Sequence, residues 1–253
     1  MAEWDSAAMA HLQQVATDLW AAGVIDIMAQ EVRATWTANL ERYEPRELGD
    51  TPQLLGLLCA GNIGQRVLRR YAGLSSGDEL SRPPVLASAP DGSLLVRACG
   101  AELQARKAPG ERLQPDWSGF SWEESAGVRR HAAAVANSSA YRPSASDQDG
   151  RPPMLGDGGI WPLEAPSALR HVILVWAGDP EEKLTSGWLG FPCLGSPTWF
   201  AITRLWKDTR DERPDRDQPL ADGLTSNAGR FTDRPEPTLD LGLRPRPRRK
   251  GQS

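Results

Sequence analysis

Residues that bind transition metals or form disulfides are scarce in this sequence. Only three histidines and three cysteines occur among 253 residues: His11, His131, His171, Cys59, Cys99 and Cys193. The cysteines show no CxxC spacing and the histidines no HExxH motif or helical pair, so neither a zinc site nor a disulfide framework is indicated. We expect free, buried thiols, as in a reducing cytosol, and a structural role for His171 at the start of a strand.

Long apolar runs and an excess of positive charge are also absent. No apolar run approaches 18 residues, and the first ten residues lack the basic and apolar regions of a signal peptide. A net charge of -4 provides no general attraction to nucleic acid. We therefore expect a cytoplasmic protein with no membrane partner. The excess of Arg over Lys, with abundant Ala, Gly and Pro, is typical of bacteria with GC-rich genomes.

Apolar residues become rare after residue 206, where charged runs such as RDERPDRDQP and RPRPRRK appear. We expect residues 207–253 to form a disordered, charged tail. The basic stretch Arg244–Lys250 offers a contact for nucleic acid or for an acidic partner, although a short basic end is more often a solubilising tail.

The segment richest in apolar residues runs from Ala168 to Trp206 and has the pattern of three strands joined by two turns. Its first strand, His171–Ala177, is almost continuously apolar, which predicts a strand covered on both faces. Its last strand, Trp199–Trp206, is more mixed and alternates between two faces, as expected at a sheet edge. Four tryptophans in this segment are predicted to fill the core, and the alternative is an aromatic pocket that senses a small molecule.

Helical periodicity dominates residues 1–74. Two apolar patterns meet at Gly23 and form either two short helices or one long bent helix, and a further helix is expected after Asp50 or Thr51. Residues 84–206 then carry three short strands, a helix and the Ala168–Trp206 segment. The sequence thus predicts one α+β domain, residues 1–206, with an N-terminal helical layer packed on an antiparallel or mixed sheet.

The predicted order of a helix, three strands, a second helix and a strand resembles the core of the PD-(D/E)XK nucleases. Asp50, Glu102 and Lys107 accompany these elements. In that family two carboxylates hold a magnesium ion and a lysine helps to generate or orient the attacking water. The resemblance therefore implies a phosphodiester-acting enzyme with these three residues as catalytic candidates. The sequence departs from the family because its third strand contains no (D/E)xK triplet.

A convincing catalytic set is otherwise missing, which favours a non-enzymatic accessory or protein-interaction module. The most charged segment before the tail, Glu41–Asp50, contains the candidate binding residues Arg42, Tyr43 and Glu44. We expect another protein as the partner. No cofactor is indicated, and Mg²⁺ enters only with the nuclease-like alternative.

Overall fold

Four α-helices and six strands make up the described part of the chain, residues 4–74, 84–110, 112–123, 127–142 and 165–209 of a computed structural model. In chain order they are α1 (Ser6–Ala21), α2 (Val24–Leu40), α3 (Pro52–Leu74), β1 (Leu86–Ser88), β2 (Leu95–Ala98), β3 (Ala101–Lys107), α4 (Val128–Ala140), β4 (His171–Asp179), β5 (Leu184–Pro192) and β6 (Trp199–Lys207). The predicted α+β class is confirmed. Residues 210–253 of the predicted tail lie outside the described residues, and the domain limits stay a prediction.

The six strands form one sheet in which the spatial order follows the chain order. Neighbouring strands are antiparallel except β3 and β4, which run parallel with Leu103 opposite Val172. Parallel strands need a long crossover connection, and α4 lies within the connection between these two. The sheet is therefore mixed, which decides between the two arrangements that the sequence left open.

Both faces of the sheet are covered. On the face called here the helix side, α1, α2 and α3 pack against alternate residues of the strands in one core that includes Leu12, Ile25, Met28, Ile63, Leu103, Leu174 and Leu189. On the opposite face, called the α4 side, residues from α4 and from the segment 117–122 pack on the sheet, and this core includes Phe120, Trp122, Ala134, Ile173, Val175 and Trp188. The prediction that the first strand of the Ala168–Trp206 segment is covered on both faces is confirmed.

A glycine in the left-handed conformation separates the first two helices. Gly23 has φ +73°, a backbone conformation that residues with a Cβ adopt only at a cost, so two helices form and not one bent helix. Asp5 caps α1, because its Oδ1 accepts a hydrogen bond from the Ala8 N–H at 2.6 Å. The same oxygen accepts one from the Tyr141 hydroxyl at 2.7 Å. Asp5 thus ties α1 to the residue that follows α4.

Three tryptophan rings lie directly on three glycines of the central strands. On the helix side, Trp36 covers Gly178 of β4 and Trp206 covers Gly187 of β5; on the α4 side, Trp199 covers Gly190 of β5. A methyl group at any of these glycines would overlap the ring, and at Gly190 it would lie 2.7 Å from ring carbons of Trp199. The missing Cβ is therefore what allows large rings to pack flat on the middle of the sheet.

One buried amide fastens α4 to the sheet. The Asn137 side chain donates hydrogen bonds to the carbonyls of His171 at 2.8 Å and Pro192 at 3.1 Å, and its Oδ1 accepts one from the His171 N–H at 3.3 Å. The residue is fully buried. Since these partners are the first residue of β4 and the last of β5, one side chain joins a helix to two strands.

The predicted alternation along the last strand fails at Ala201, which shares a face with Phe200. Trp199 and Ile202 belong to the core on the α4 side, whereas Phe200, Ala201 and Trp206 belong to the core on the helix side. The pairing of β5 with β6 contains two irregularities, because Phe191 faces Ala201 while Pro192 faces Trp199, and a second shift follows Gly187. Each extra residue reverses the faces of the residues beyond it. The prediction that this strand lies at the edge is confirmed.

The prediction of three buried thiols holds for two cysteines. Cys59 and Cys193 are buried, and desolvation raises their pKa values to about 11 and about 12. Cys99 is exposed, because it occupies the two-residue turn Cys99-Gly100 between β2 and β3, where both residues have positive φ. The sequence-based expectation for Cys99 was wrong, since its apolar neighbours belong to the strands and not to the turn.

Replacing Gly187 by alanine should destabilise the fold. The new methyl group meets the Trp206 ring, and overpacking of this kind costs about 1–3 kcal/mol. Gly73→Ala in the last turn of α3 is the matched control, because open space surrounds that position and alanine raises stability by up to about 1 kcal/mol there. Urea denaturation of both variants measures the difference. Equal stabilities would contradict the packing described for Gly187.

Removing the Asn137 amide should loosen the attachment of α4. Asn137→Ala removes the side-chain partner of the Pro192 carbonyl and of the part-buried His171 carbonyl and N–H, and each group left unsatisfied costs up to about 3 kcal/mol. Ser139→Ala, at an exposed position of the same helix, should change the free energy of unfolding by less than about 0.5 kcal/mol. Hydrogen exchange of β4 and β5 amides should accelerate in the first variant alone, and a similar response in both would refute this role.

Alkylation should separate the three thiols. Cys99 is exposed, whereas the raised pKa values and burial of Cys59 and Cys193 keep both protonated and shielded at pH 8. We expect iodoacetamide to modify Cys99 in the native protein and the other two only after denaturation, as measured by peptide mass spectrometry. If Cys59 in the native protein were modified at a rate similar to that of Cys99, the burial of Cys59 between α3 and the core would be contradicted.

Candidate functional site

Glu102 belongs to a row of polar side chains across three strands on the α4 side of the sheet. It lies opposite Arg97 of β2 and His171 of β4 in the strand pairing. Its Oε1 accepts from the Arg97 Nε at 2.7 Å, and its Oε2 is 3.4 Å from the His171 Nδ1. The carboxylate is therefore engaged by a cross-strand ion pair and an imidazole.

Lys107 lies at the far end of the same strand and on the opposite face. Its aliphatic chain passes Gly56 of α3 so closely that a Cβ there would lie 2.9 Å from the lysine Cδ. The Lys107 Nζ donates to the carbonyl of Gly110 at 2.8 Å and is 3.4 Å from that of Ala108. Its ammonium group thus closes the loop that leaves β3.

Asp50 lies in the loop between α2 and α3. Its Oδ2 accepts a hydrogen bond from the Glu44 N–H at 3.0 Å, and this contact closes the turn that holds the intervening residues. The side chain of Thr51, and not that of Asp50, caps α3 by accepting from the Leu54 N–H at 3.2 Å. Asp50 therefore has a local role in shaping the loop.

These three candidates are not assembled into one site. Glu102 and Lys107 are five positions apart on a strand, which places them on opposite faces and about 16 Å apart along it. Within the described residues, no group of three His, Cys, Asp or Glu side chains has the geometry of a metal site. The element order from α3 to β4 does match the order on which the nuclease resemblance rests.

The tryptophans of the Ala168–Trp206 segment are core residues. Trp176 and Trp206 are buried on the helix side, and Trp188 and Trp199 on the α4 side. Trp199 stands edge to face against Trp122, with ring centroids 4.7 Å apart. The Arg106 guanidinium also lies over this aromatic cluster, 5.1 Å from the ring centroids of Phe120 and Trp122. Desolvation is the larger cause and the nearby Arg130 charge the smaller cause that lowers the pKa of Arg106 to about 10. The prediction that these rings form the core is confirmed.

The candidate binding residues Arg42, Tyr43 and Glu44 follow the end of α2. Their backbones continue its last turn, with the Arg42 N–H donating to Asn39 and the Tyr43 N–H to Leu40. Tyr43 is half-buried against the helix-side core, whereas Arg42 and Glu44 are exposed. Only the two charged side chains are therefore presented to solvent.

An apolar surface that the sequence analysis did not identify lies on α3. The helix buries Leu55, Cys59, Ile63, Val67 and Tyr71 against the sheet and α2. Its opposite side carries Leu54, Leu57 and Leu58, which are 43%, 72% and 50% exposed, and the preceding loop adds Leu48 at 73%. We call these four leucines, with Gly61 one turn further on, the outward face of α3.

Charges of opposite sign lie at the two ends of this face. The loop before α3 has four acidic and two basic residues between positions 41 and 50. The helix itself contains no acidic residue, and its second half carries Arg66, Arg69 and Arg70. Arg66 is paired with the buried Glu31 of α2 at 2.5 Å, whereas Arg69 and Arg70 are exposed.

A signal for the outward face was present in the sequence. At 100° per residue, Leu55, Cys59, Ile63 and Val67 form one stripe, and Leu54, Leu57 and Leu58 form a second stripe on the other side. A helix that is apolar on both sides needs two covering surfaces. Both stripes lie in the helix that was expected after Asp50 or Thr51, and the second stripe needs a covering surface of its own.

In the described part of the chain, no helix combines the length and the apolar character needed to cross a bilayer. Comparison with protein-family models, with curated proteins and with solved structures finds no match to this chain. The candidate functional surface therefore has to be judged from its own physical properties, and the outward face of α3 is the clearest feature that the fold leaves uncovered.

Proposed function

We propose that this chain is a non-enzymatic protein-interaction module and that the outward face of α3 is its contact surface. One observation carries the proposal: three leucines in adjacent turns of a well-packed helix point away from the core, next to a fourth in the adjoining loop. Single exposed leucines are ordinary on protein surfaces, whereas clustered ones mark contact sites.

Burial of the exposed leucines would contribute free energy to a complex. Complete burial of one leucine side chain contributes about 1.5–3 kcal/mol relative to full exposure. Leu57 and Leu48 are the most exposed members, so they have the most to gain from a partner. A few such side chains commonly supply most of the binding energy of an interface.

Polar residues around the leucines suit the rim of an interface. Arg42 and Glu44 are exposed in the loop that leads to Leu48, and Arg69 and Arg70 are exposed two to three turns beyond Gly61. Interfaces typically surround an apolar centre with charged residues that set orientation and association rate. The binding residues proposed from the sequence would therefore contribute at the edge of the contact and not at its centre.

The alternatives have less support from the described geometry. A nuclease-like centre needs its lysine beside its carboxylates, and Lys107 and Glu102 occupy opposite faces of β3. A tryptophan-lined sensor needs rings exposed to a cavity, and the four tryptophans are almost completely buried. The interaction module requires no such rearrangement of the core.

Photo-crosslinking tests the proposal whichever protein the partner is. We expect the full chain carrying benzoylphenylalanine at Leu57 to give discrete higher-mass adducts on irradiation in the cells that produce it. Leu86 is the matched control: it is 65% exposed, and because Ala87 packs against the helix-side core, Leu86 faces the other side of the sheet.

Adducts from position 57 and none from position 86 would support the outward face as a contact surface. Equal yields at both positions, or none at either, would refute it. Thermal unfolding followed by circular dichroism should be the same for both labelled chains, since both positions are exposed.

A further inference from the structure

We infer that the occupant of the outward face of α3 is a second copy of this chain, whose own α3 packs against it in the antiparallel direction. This inference rests on the proposed interaction function and names its partner. Three features support it: the spacing of the outward residues, the open space at Gly61 and the distribution of charge.

The outward side of α3 has the spacing of a helix–helix seam. Its exposed members Leu54, Leu58, Gly61 and Gln65 follow one another at intervals of four, three and four residues, whereas Leu68, one turn further on, packs against the helix-side core. Alternation of four and three keeps residues on one side of a helix and is the pattern by which two helices pack along their length. Two different stripes of one helix can therefore serve the core of the chain and a second helix.

Gly61 provides room for a close approach. Apart from its chain neighbours and the backbone of its own helix, no atom of the described structure lies within 4 Å of the position that a Cβ would take there. When a two-fold axis passes beside Leu58, this side chain meets Leu58 of the other copy. The turn from Leu54 to Leu57 then meets Gly61 of the other copy. The bulky half of each seam then packs against the small residue of the other, which makes the surface complementary to itself.

The charges select the antiparallel direction and a copy of the chain itself as the partner. The acidic loop, with exposed Glu44 and Glu47, lies at one end of the outward face, and exposed Arg69 and Arg70 lie at the other. In an antiparallel pair each acidic loop approaches the basic end of the other helix. In a parallel pair the two acidic loops would face each other, and so would the two basic ends, and the repulsion between like charges is unfavourable.

Sedimentation equilibrium on the full chain tests the inference. We expect a dimer at micromolar concentration, and we expect Leu58→Arg to raise the dissociation constant by about 100-fold or more, because a charge replaces a central apolar contact. Leu86→Arg should leave it unchanged. Melting curves of both variants at low concentration verify that each monomer is folded.

Charge reversal tests the direction of packing. Glu44→Arg with Glu47→Arg, or Arg69→Glu with Arg70→Glu, should each raise the dissociation constant by about tenfold at low salt. All four substitutions in one chain should restore it, because the two ends are again of opposite sign. Added salt should reduce these differences, since exposed charges are screened over about 10 Å at 0.1 M.

Each outcome has a distinct meaning. A wild-type chain that stays monomeric at about 100 μM overturns the inference. If benzoylphenylalanine at Leu57 then captures a different protein, the proposed function stands without self-association. If it captures nothing, both fail. A dimer that Leu58→Arg leaves intact, or a fourfold charge reversal that does not restore association, also overturns the inference.

Discussion

The close packing of tryptophan rings on glycines in the central strands is the constraint on which the rest of the fold depends. Gly178 and Gly187 accept rings on the helix side, and Gly190 accepts one on the α4 side. Because these contacts occur on both faces, β4 and β5 require a covering layer above and below. The Trp36 ring comes from α2 and the Trp206 ring from the edge strand, so helix and sheet positions are set together.

This arrangement explains why the core offers little space for chemistry. Several polar groups of the fold are engaged by the backbone or by one another: Asn137 joins β4 and β5, and Thr185 donates to Asp208, which in turn accepts from Arg33 of α2. On the surface of the sheet, Glu102 pairs with Arg97. Satisfied groups of this kind stabilise a unique packing. The surface that the packing leaves uncovered is on the far side of α3.

Much of the fold could be predicted from the sequence because its signals were local. The apolar run of β4 and the amphipathic patterns of α1 and α2 each depend on neighbouring residues alone. The opposite faces of Glu102 and Lys107 also follow from their odd separation on a strand. In contrast, the irregular pairing of β5 with β6 and the role of Asn137 depend on contacts between distant segments, which no local pattern contains.

The candidate surface was only partly predictable. The second stripe on α3 is visible from the positions of Leu54, Leu57 and Leu58, but which stripe is buried depends on where α3 meets α2 and the sheet. The buried side, with Leu55, Cys59 and Ile63, packs in the same core as residues of α2 and the sheet. These contacts join segments that are distant in the chain, so no local pattern contains them.

Disulfide trapping at the proposed two-fold axis tests the central claim most directly. In a chain with Cys99→Ser, the substitution Leu58→Cys places two thiols next to each other across the axis, so mild oxidation should give a covalent dimer rapidly. Leu86→Cys in the same background should give no covalent dimer. Rapid trapping at position 58 alone is the result expected from α3 packing on α3. Slow or equal trapping at both positions would contradict it.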